Sequence, residues 1–389
     1  MECSTPNIED YATDDKRVVR RGNITRTLSD LLSSSQWLPC FLGNGYAGAC
    51  FDPFGSMAQP SSDMRPKVVG QLLLHNLYHH VHGNFGMDFA APIGRLIIDH
   101  WAQQHKALSV ASICDYHQEL DIFDGVLETH IACNDGHEFE QEQFFSQMHK
   151  NLFSARIRNT GSKSHKVTLR FEPILAYDLD FEQTLRAEAT LQCTDESLRW
   201  RVDTGSVTTW LEFWMQVSPN ASVRQLEQSF ATVIEPGGEC TIWMIVMSDL
   251  EVTNPIEKIQ EIFDFVFEQG FDAVSQAHKS WWTDFWSESL LALPECALDL
   301  QKIWLRGNYY LGQNFLDSKI PHPPPAFGFA ATATPSFSPE GVLLSYQNLL
   351  TANHLRHASF NAAFWFDISP NAQNYCQQIL RRTGAAYPW

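Results

Sequence analysis

Residues 207–217 read Val-Thr-Thr-Trp-Leu-Glu-Phe-Trp-Met-Gln-Val, which is the clearest strand pattern in the chain. Side chains alternate between the two faces of a strand, so the odd-numbered positions, including Leu211 and Phe213, share one face. Trp210 and Trp214 lie on the other face. Large side chains on both faces predict a strand that is covered on two sides.

Further strand patterns lie on both sides of this segment. Alternating hydrophobic residues occur at 153–157 and 167–171, and Asn159-Thr160-Gly161-Ser162 between them predicts a hairpin. The strand pattern Thr-Ile-Trp-Met-Ile-Val-Met at 241–247 follows Pro236-Gly237-Gly238. Period-two patterns with short turns continue from about residue 20 to about residue 250. We therefore predict a large antiparallel β-sandwich over residues 1–254.

The hydrophobic period changes to that of a helix after Asn254-Pro255. We predict linker helices over 255–297, interrupted near Gly270, and then the first helices of a helical domain over 298–389. Within that domain, helices are predicted from about 300 to 315, from 343 to 356 and from 371 to 382. A long loop rich in proline and aromatic residues is predicted over 320–341, and loops of that length are often functional.

Composition excludes several classes of protein. The chain has 27 basic and 45 acidic residues, a net charge of -18, so a surface that follows nucleic-acid phosphates is not expected. It has no uninterrupted hydrophobic run near the length of a membrane span, so no membrane partner is expected. The nine cysteines form no Cys-x-x-Cys pair. These features favour a reducing, cytoplasmic location.

Two motifs have a structural alternative that we favour over the functional one. Residues 43–48, Gly-Asn-Gly-Tyr-Ala-Gly, match the dinucleotide fingerprint, but Pro53 and Gly55 follow where that site needs a helix. A glycine-bearing strand at the edge of the sandwich explains the motif better. A metal-site interpretation of four nearby histidines lacks a neighbouring Cys or carboxylate, so we predict structural histidines there: His75, His79, His80 and His82.

Four segments together resemble the inverting (α/α)6-barrel glycosidases and phosphorylases, with glycoside hydrolase family 65 as the nearest family. They begin at Leu42 (LGNGYAGACFDPFG), His278 (HKSWWTDFW), His354 (HLRHASFNAAFWFD) and Gly384 (GAAYPW). The resemblance implies a β-sandwich, linker helices and then a twelve-helix barrel.

The resemblance also implies site residues. Trp365 and Asp367 match the segment that holds the sugar at the cleaved linkage, and Pro388-Trp389 matches a segment that enters the cleft. Phe366 separates Trp365 from Asp367, and Ile368-Ser369-Pro370 follows where the family often has an acidic residue, a departure that bears on sugar specificity.

The chemistry of glycoside cleavage adds a constraint. Inverting hydrolysis needs two carboxyl groups about 6.5–9.5 Å apart, whereas a phosphorylase keeps only the acid because phosphate attacks. From Leu300 onward the carboxylates are Asp317, Glu340 and Asp367. In the resembled family the general acid is a Glu beyond the segment that matches residues 384–389, so we expect an incomplete barrel that is inactive alone. Glu340, beside Pro339, is a stand-in candidate for the acid.

Two functions remain open at this point. One is a part of an enzyme that hydrolyses or phosphorolyses an α-linked glucoside, with an oligosaccharide or disaccharide and phosphate as partners, a homodimer as a candidate assembly, and no cofactor or metal. The other is a non-catalytic carbohydrate-binding or assembly module. An incomplete barrel would expose the hydrophobic faces of its helices, which suits an assembly surface.

Overall fold

The computed structural model describes residues 15–33, 39–58, 72–80, 88–103, 106–179, 183–194, 196–205, 207–218, 222–249, 251–313, 347–359, 366 and 369–386. Two large antiparallel sheets come first and helices follow, which confirms the predicted class of a β-sandwich succeeded by helices. No helix in the described ranges is both long enough and hydrophobic enough to cross a membrane.

The first sheet has nine strands in the order β1-β7-β8-β9-β10-β19-β16-β15-β14, and each neighbouring pair is antiparallel. The second sheet has eight strands in the order β17-β18-β11-β5-β4-β3-β2, with β6 paired to β5, and β12 and β13 form a separate pair. In chain order, the strands are β1 Ile24–Thr27, β2 Cys40–Gly43, β3 Ala47–Phe51, β4 Leu72–His80, β5 Asp88–Gln103, β6 Lys106–Ala107, β7 Ile113–Asp121, β8 Val126–Cys133, β9 Glu138–Phe145, β10 Leu152–Asn159, β11 His165–Pro173, β12 Ala176–Leu179, β13 Gln183–Arg186, β14 Glu188–Cys193, β15 Ser197–Asp203, β16 Thr208–Ser218, β17 Arg224–Leu226, β18 Ser229–Ile234 and β19 Glu239–Ser248.

The predicted two-sided strand at 207–217 is confirmed as β16. Leu211 and Phe213 belong to the main core, which gathers hydrophobic side chains from both sheets. Trp214, on the opposite face, stacks on Phe263 of a long helix with 4.0 Å between ring centroids. The strand is therefore buried on one side by the second sheet and on the other by the helix.

The predicted hairpin at 159–162 is wrong. The strand before the turn, β10, pairs with β9 and β19 in the nine-stranded sheet. The strand after it, β11, pairs with β18 and β5 in the other sheet. The Asn159 amide fixes this crossing by donating to the carbonyls of Lys163 and Ile234, at 2.8 Å each. The turn residues thus carry the chain from one sheet to the other.

The long helix α3, Pro255–Ser287, begins where the sequence predicts it. Gly270 inside it has φ 75° and ψ 165°, which confirms the predicted interruption. Val266 and Val274 pack onto the outer face of the nine-stranded sheet, and Trp282 and Trp286 extend the main core beyond the sheets. The helix therefore covers the sandwich with one half and meets the following helices with the other.

The remaining helices are short. They are α1 Asp15–Arg20, α2 Leu28–Leu32, α4 Leu298–Gly312, α5 at 347–351, α6 at 355–359 and α7 Ser369–Gln378. The sequence predicts a single helix over 343–356, of which the structure describes 347–356. The prediction is wrong there, because Asn353 adopts φ 61° and separates α5 from α6. The helix predicted over 371–382 is present but begins at Ser369 and ends at Gln378.

Cysteine usage differs from the sequence-based expectation at one position. Cys296 takes part in a disulfide bond. Seven cysteines of the described part form no disulfide bond. Two of them, Cys114 and Cys193, are exposed, and five are buried: Cys40, Cys50, Cys133, Cys240 and Cys376.

Candidate functional site

All four residues predicted to contact sugar or to act as the acid lie outside the described residues. These are Trp365, Asp367, Trp389 and Glu340. Their roles stay predictions. Among the described helices, α6 precedes residues 365–367 in sequence and α7 follows them, so the candidate site is built from the elements that hold α6.

The C-terminal part of α3 holds α6 through aromatic contacts. The His354 ring, at the start of α6, stacks on Phe285 with 3.9 Å between centroids and 9° between planes. The His357 ring meets Trp281 edge-on at 5.6 Å. Asn353 adds a hydrogen bond of 2.9 Å to the backbone carbonyl of Glu288. Residues 353–357 are thus anchored to α3.

Helix α3 is itself fixed to the sandwich by buried polar contacts. The His278 Nδ1 atom accepts from the backbone N–H of Gln147 at 3.2 Å, and its Nε2 donates to the carbonyl of Gly125 at 3.0 Å. Burial lowers the pKa of His278 to about 4, so the ring is neutral and can accept and donate at once. The Trp286 indole donates to the carbonyl of Ile122 at 2.9 Å. The motif at 278–286 therefore acts as a structural fastener.

Helix α4 is tied to the beginning of the described chain. The Arg306 guanidinium donates to the carbonyls of Gly22 and Asn23, at 2.8 and 2.9 Å. The Gln301 side chain is buried, accepts from the N–H of Leu293 at 2.9 Å and donates to the carbonyl of Val18 at 3.3 Å. This polar side chain takes the inward face, whereas Leu300 and Ile303 are 64% and 68% exposed.

One cluster at the junction of α3 and α6 has the residue types of a metal site. Glu288, His354 and His357 each offer a ligand atom within 4.8 Å of the others. Both histidines lie in a segment that carries the family resemblance, and neither they nor Glu288 are among the residues predicted to bind a ligand. The i, i+3 spacing of the two histidines is the signal that was available, since residues three apart share a helix face.

The glycine-rich motif at 43–48 is a hairpin turn between β2 and β3, and β2 is the edge strand of its sheet. This confirms the structural interpretation, because no helix follows the glycines. The Asn44 side chain closes the turn by accepting from the N–H of Tyr46 and Ala47, at 3.1 and 3.0 Å. The Tyr46 hydroxyl donates to Glu251, whose side chain is 5% exposed. The motif therefore stabilises a hairpin turn and does not form a nucleotide-binding site.

Three of the four histidines predicted to be structural belong to the described residues. His75, His79 and His80 lie in strand β4, so His75 and His79 do not share a helix face. His82 lies outside the described residues.

A charged cleft of about 210 Å³ on the nine-stranded sheet includes Glu128, Glu142 and Arg156 among its lining residues. Burial acts to raise the pKa of Glu142, but Lys279 and Arg156 outweigh it and lower that pKa. Lys279 and Arg156 contact the carboxylate at 2.8 and 3.0 Å. Because this carboxylate already binds two cations of the same chain, it serves to fasten α3 to the sheet.

Part of the sandwich and most of α3 are similar to a known family. Residues 95–285 match the family model described as "Glycosyl hydrolase family 65, N-terminal domain". A comparison with curated proteins gives no match.

Among solved structures, the chain matches a protein described as "Putative kojibiose phosphorylase from human microbiome" with a TM-score of 0.66 and 12% identity. The match covers 89% of this chain and 48% of that one, so this chain spans about half the length of that protein. At this identity the likeness shows a shared fold. The N-terminal part of this chain is therefore like the N-terminal part of a glycosyl hydrolase family 65 protein.

Proposed function

We propose that this chain serves a carbohydrate-active enzyme that cleaves an α-linked glucoside with inversion, by hydrolysis or by phosphorolysis. The observation that carries the proposal is the match of residues 95–285 to the family 65 N-terminal domain, within a sandwich that continues into helices. A protein described as a kojibiose phosphorylase shares this fold. Trp365 and Asp367 would bind the sugar, and phosphate would be the second substrate of a phosphorylase. The general acid has no assigned residue in this chain other than the stand-in Glu340.

The test combines turnover with binding, so that an inactive chain still gives an answer. The protein is incubated with glucose disaccharides of different α-linkages, with and without phosphate. Inverting phosphorolysis yields β-glucose 1-phosphate, whereas hydrolysis yields glucose alone. Sugar binding is measured in parallel by calorimetry. For Asp367→Asn we expect binding or kcat/KM to fall about 10- to 100-fold, the value of one or two charge-assisted hydrogen bonds.

Asp299→Asn is the matched control, because Asp299 is an exposed carboxylate in the first turn of α4. It should leave binding and turnover unchanged. If Asp367→Asn also leaves both unchanged, the assigned role of Asp367 is wrong.

A second candidate function is a non-catalytic carbohydrate-binding or assembly module. The observation that favours it is the exposure of large hydrophobic side chains in the described chain after α3: Leu300, Ile303, Leu350, Leu355, Phe366, Ile379 and Leu380. Patches of this kind often mark a surface for association. Sugar binding without turnover, together with self-association, would favour this function over the enzyme.

A further inference from the structure

We propose that Glu288, His354 and His357 form a binding site for a divalent transition-metal ion, of which Zn²⁺ suits the ligand set best. The site lies where the end of α3 meets α6. It is independent of the sugar chemistry proposed above, because it would fasten two helices and would not touch the substrate.

The three residues converge from two separate parts of the chain. The His354 Nδ1 atom lies 3.2 Å from a carboxylate oxygen of Glu288, 66 positions away in sequence. One ligand atom of each of the three residues lies within 4.8 Å of the other two. Tetrahedral zinc with bonds of about 2.0–2.1 Å holds its ligands about 3.4 Å apart. Side-chain rotations that move each ligand atom by about 1.4 Å or less would therefore bring the three atoms to the spacing of a zinc site.

The residue types suit a metal. An imidazole binds a metal ion through a ring nitrogen, and each of the two histidines places one ring nitrogen within 4.8 Å of the other ligand atoms. The carboxylate of Glu288 adds a negative charge, which offsets part of the charge of a divalent ion.

The ring of His354 is already held in place at this site. It is 0% exposed and stacks on Phe285. Its Nδ1 atom faces Glu288 and is the atom that would bind the ion. A ligand whose orientation is fixed by packing in this way is preorganised for binding.

The surroundings select the kind of ion. Two imidazoles and one carboxylate are the ligand set of many zinc sites, whereas Mg²⁺ and Ca²⁺ prefer oxygen alone. The Glu288 side chain is 34% exposed, which leaves a route for entry and a place for a water as fourth ligand. The aromatic rings of Trp281 and Phe285 wall the opposite side.

The experiment uses the full chain without an affinity tag, stripped of metal by dialysis against a chelator. Calorimetric titration with Zn²⁺ should show about one ion per chain, and Mg²⁺ should not bind. At Zn²⁺ about 100-fold above the dissociation constant, the melting temperature should rise by about 3–5 °C. Glu288→Gln and His357→Gln should each weaken binding about tenfold or more. Glu261→Gln is the control, since Glu261 is an exposed carboxylate on the same helix that pairs only with Lys258 among the described contacts.

Cobalt distinguishes this site from the free thiols. Co²⁺ bound by nitrogen and oxygen in four-coordinate geometry gives visible absorption bands, but it lacks the near-ultraviolet charge-transfer band of a thiolate ligand. The proposal is overturned if the wild type binds no Zn²⁺, if a thiolate band appears, or if both variants bind as tightly as the wild type. If His357→Gln does not fold, the decision rests on Glu288→Gln, which keeps the shape of a partly exposed side chain.

Discussion

At the residue scale, the sandwich and α3 approach each other closely at Gly125. This glycine has φ 70°, and a Cβ placed on it would lie 1.9 Å from Nε1 of Trp282. Its carbonyl also accepts from His278. A single residue therefore supplies both the space for an indole and the partner for a buried histidine.

We predict that Gly125→Ala destabilises the protein strongly. The positive φ costs about 1 kcal/mol for a side chain, and displacing a fully buried indole adds about 1–3 kcal/mol. The free energy of unfolding, measured with urea, should therefore fall by about 2–4 kcal/mol.

Gly237→Ala is the control for that experiment. Gly237 has φ 76°, but a Cβ there meets nothing within 4 Å. The free energy of unfolding should fall only by the cost of the positive φ, about 1 kcal/mol. If the two variants lose the same free energy of unfolding, the contact between residue 125 and Trp282 does not contribute to stability.

At the scale of elements, α3 joins the sheets to the later helices, and its first half binds by ring stacking. Phe263 lies on Trp214 of β16 with an angle of 10° between the rings. The sequence predicts this contact in part, because it places Trp214 on the face away from the core. It does not predict which ring covers Trp214, since that depends on where the helix lies.

We predict that Phe263→Ala lowers the free energy of unfolding by about 2 kcal/mol. Stacking contributes about 0.5–1.5 kcal/mol beyond the burial of a partly exposed ring. Fluorescence of the chain during urea unfolding provides the measurement.

Phe265→Ala on the same helix is the matched control, because Phe265 is 46% exposed and contacts only the His149 ring among the described aromatic residues. It should cost less than about 1 kcal/mol. If both variants lose the same amount, the stack does not fasten α3.

At the scale of the whole molecule, the two sheets of the sandwich cover a shared core, whereas the described helices after α3 leave large hydrophobic side chains exposed. Two sheets enclose one continuous core, to which α3 and α4 contribute Trp282, Trp286, Leu305 and Tyr309. Beyond that core, Leu300 and Ile303 of α4 face outward with more than 60% of their surface exposed. This side of the molecule suits a further layer of protein.

We predict that this outward face drives association. Ile303→Glu places a charge on it and should lower the mass measured by light scattering after size-exclusion chromatography, relative to the wild type at the same concentration. Leu226→Glu is the control, since Leu226 is 49% exposed on the edge strand β17 of the sandwich. A wild type that is monomeric at all concentrations would contradict the prediction.

Sequence periodicity alone determined the strands β16 and β19, the change to helix at Asn254-Pro255 and the interruption at Gly270. Each of these features depends on residues that are close together in sequence. They can therefore be predicted from the local hydrophobic period and from the backbone preference of glycine and proline. The resemblance to a family rested on short segments, and the comparisons confirm it for the N-terminal part.

Only the tertiary structure decided which sheet follows the turn at 159–162, which face of α4 is buried, and that Glu288 meets His354. On α4, Gln301 is buried and Ile303 is exposed. The buried side-chain amide of Gln301 is tolerated because it hydrogen-bonds to Val18, which is far away in sequence. Contacts between distant residues leave no periodic signal in the chain. They depend on how elements pack, and packing is a property of the folded molecule.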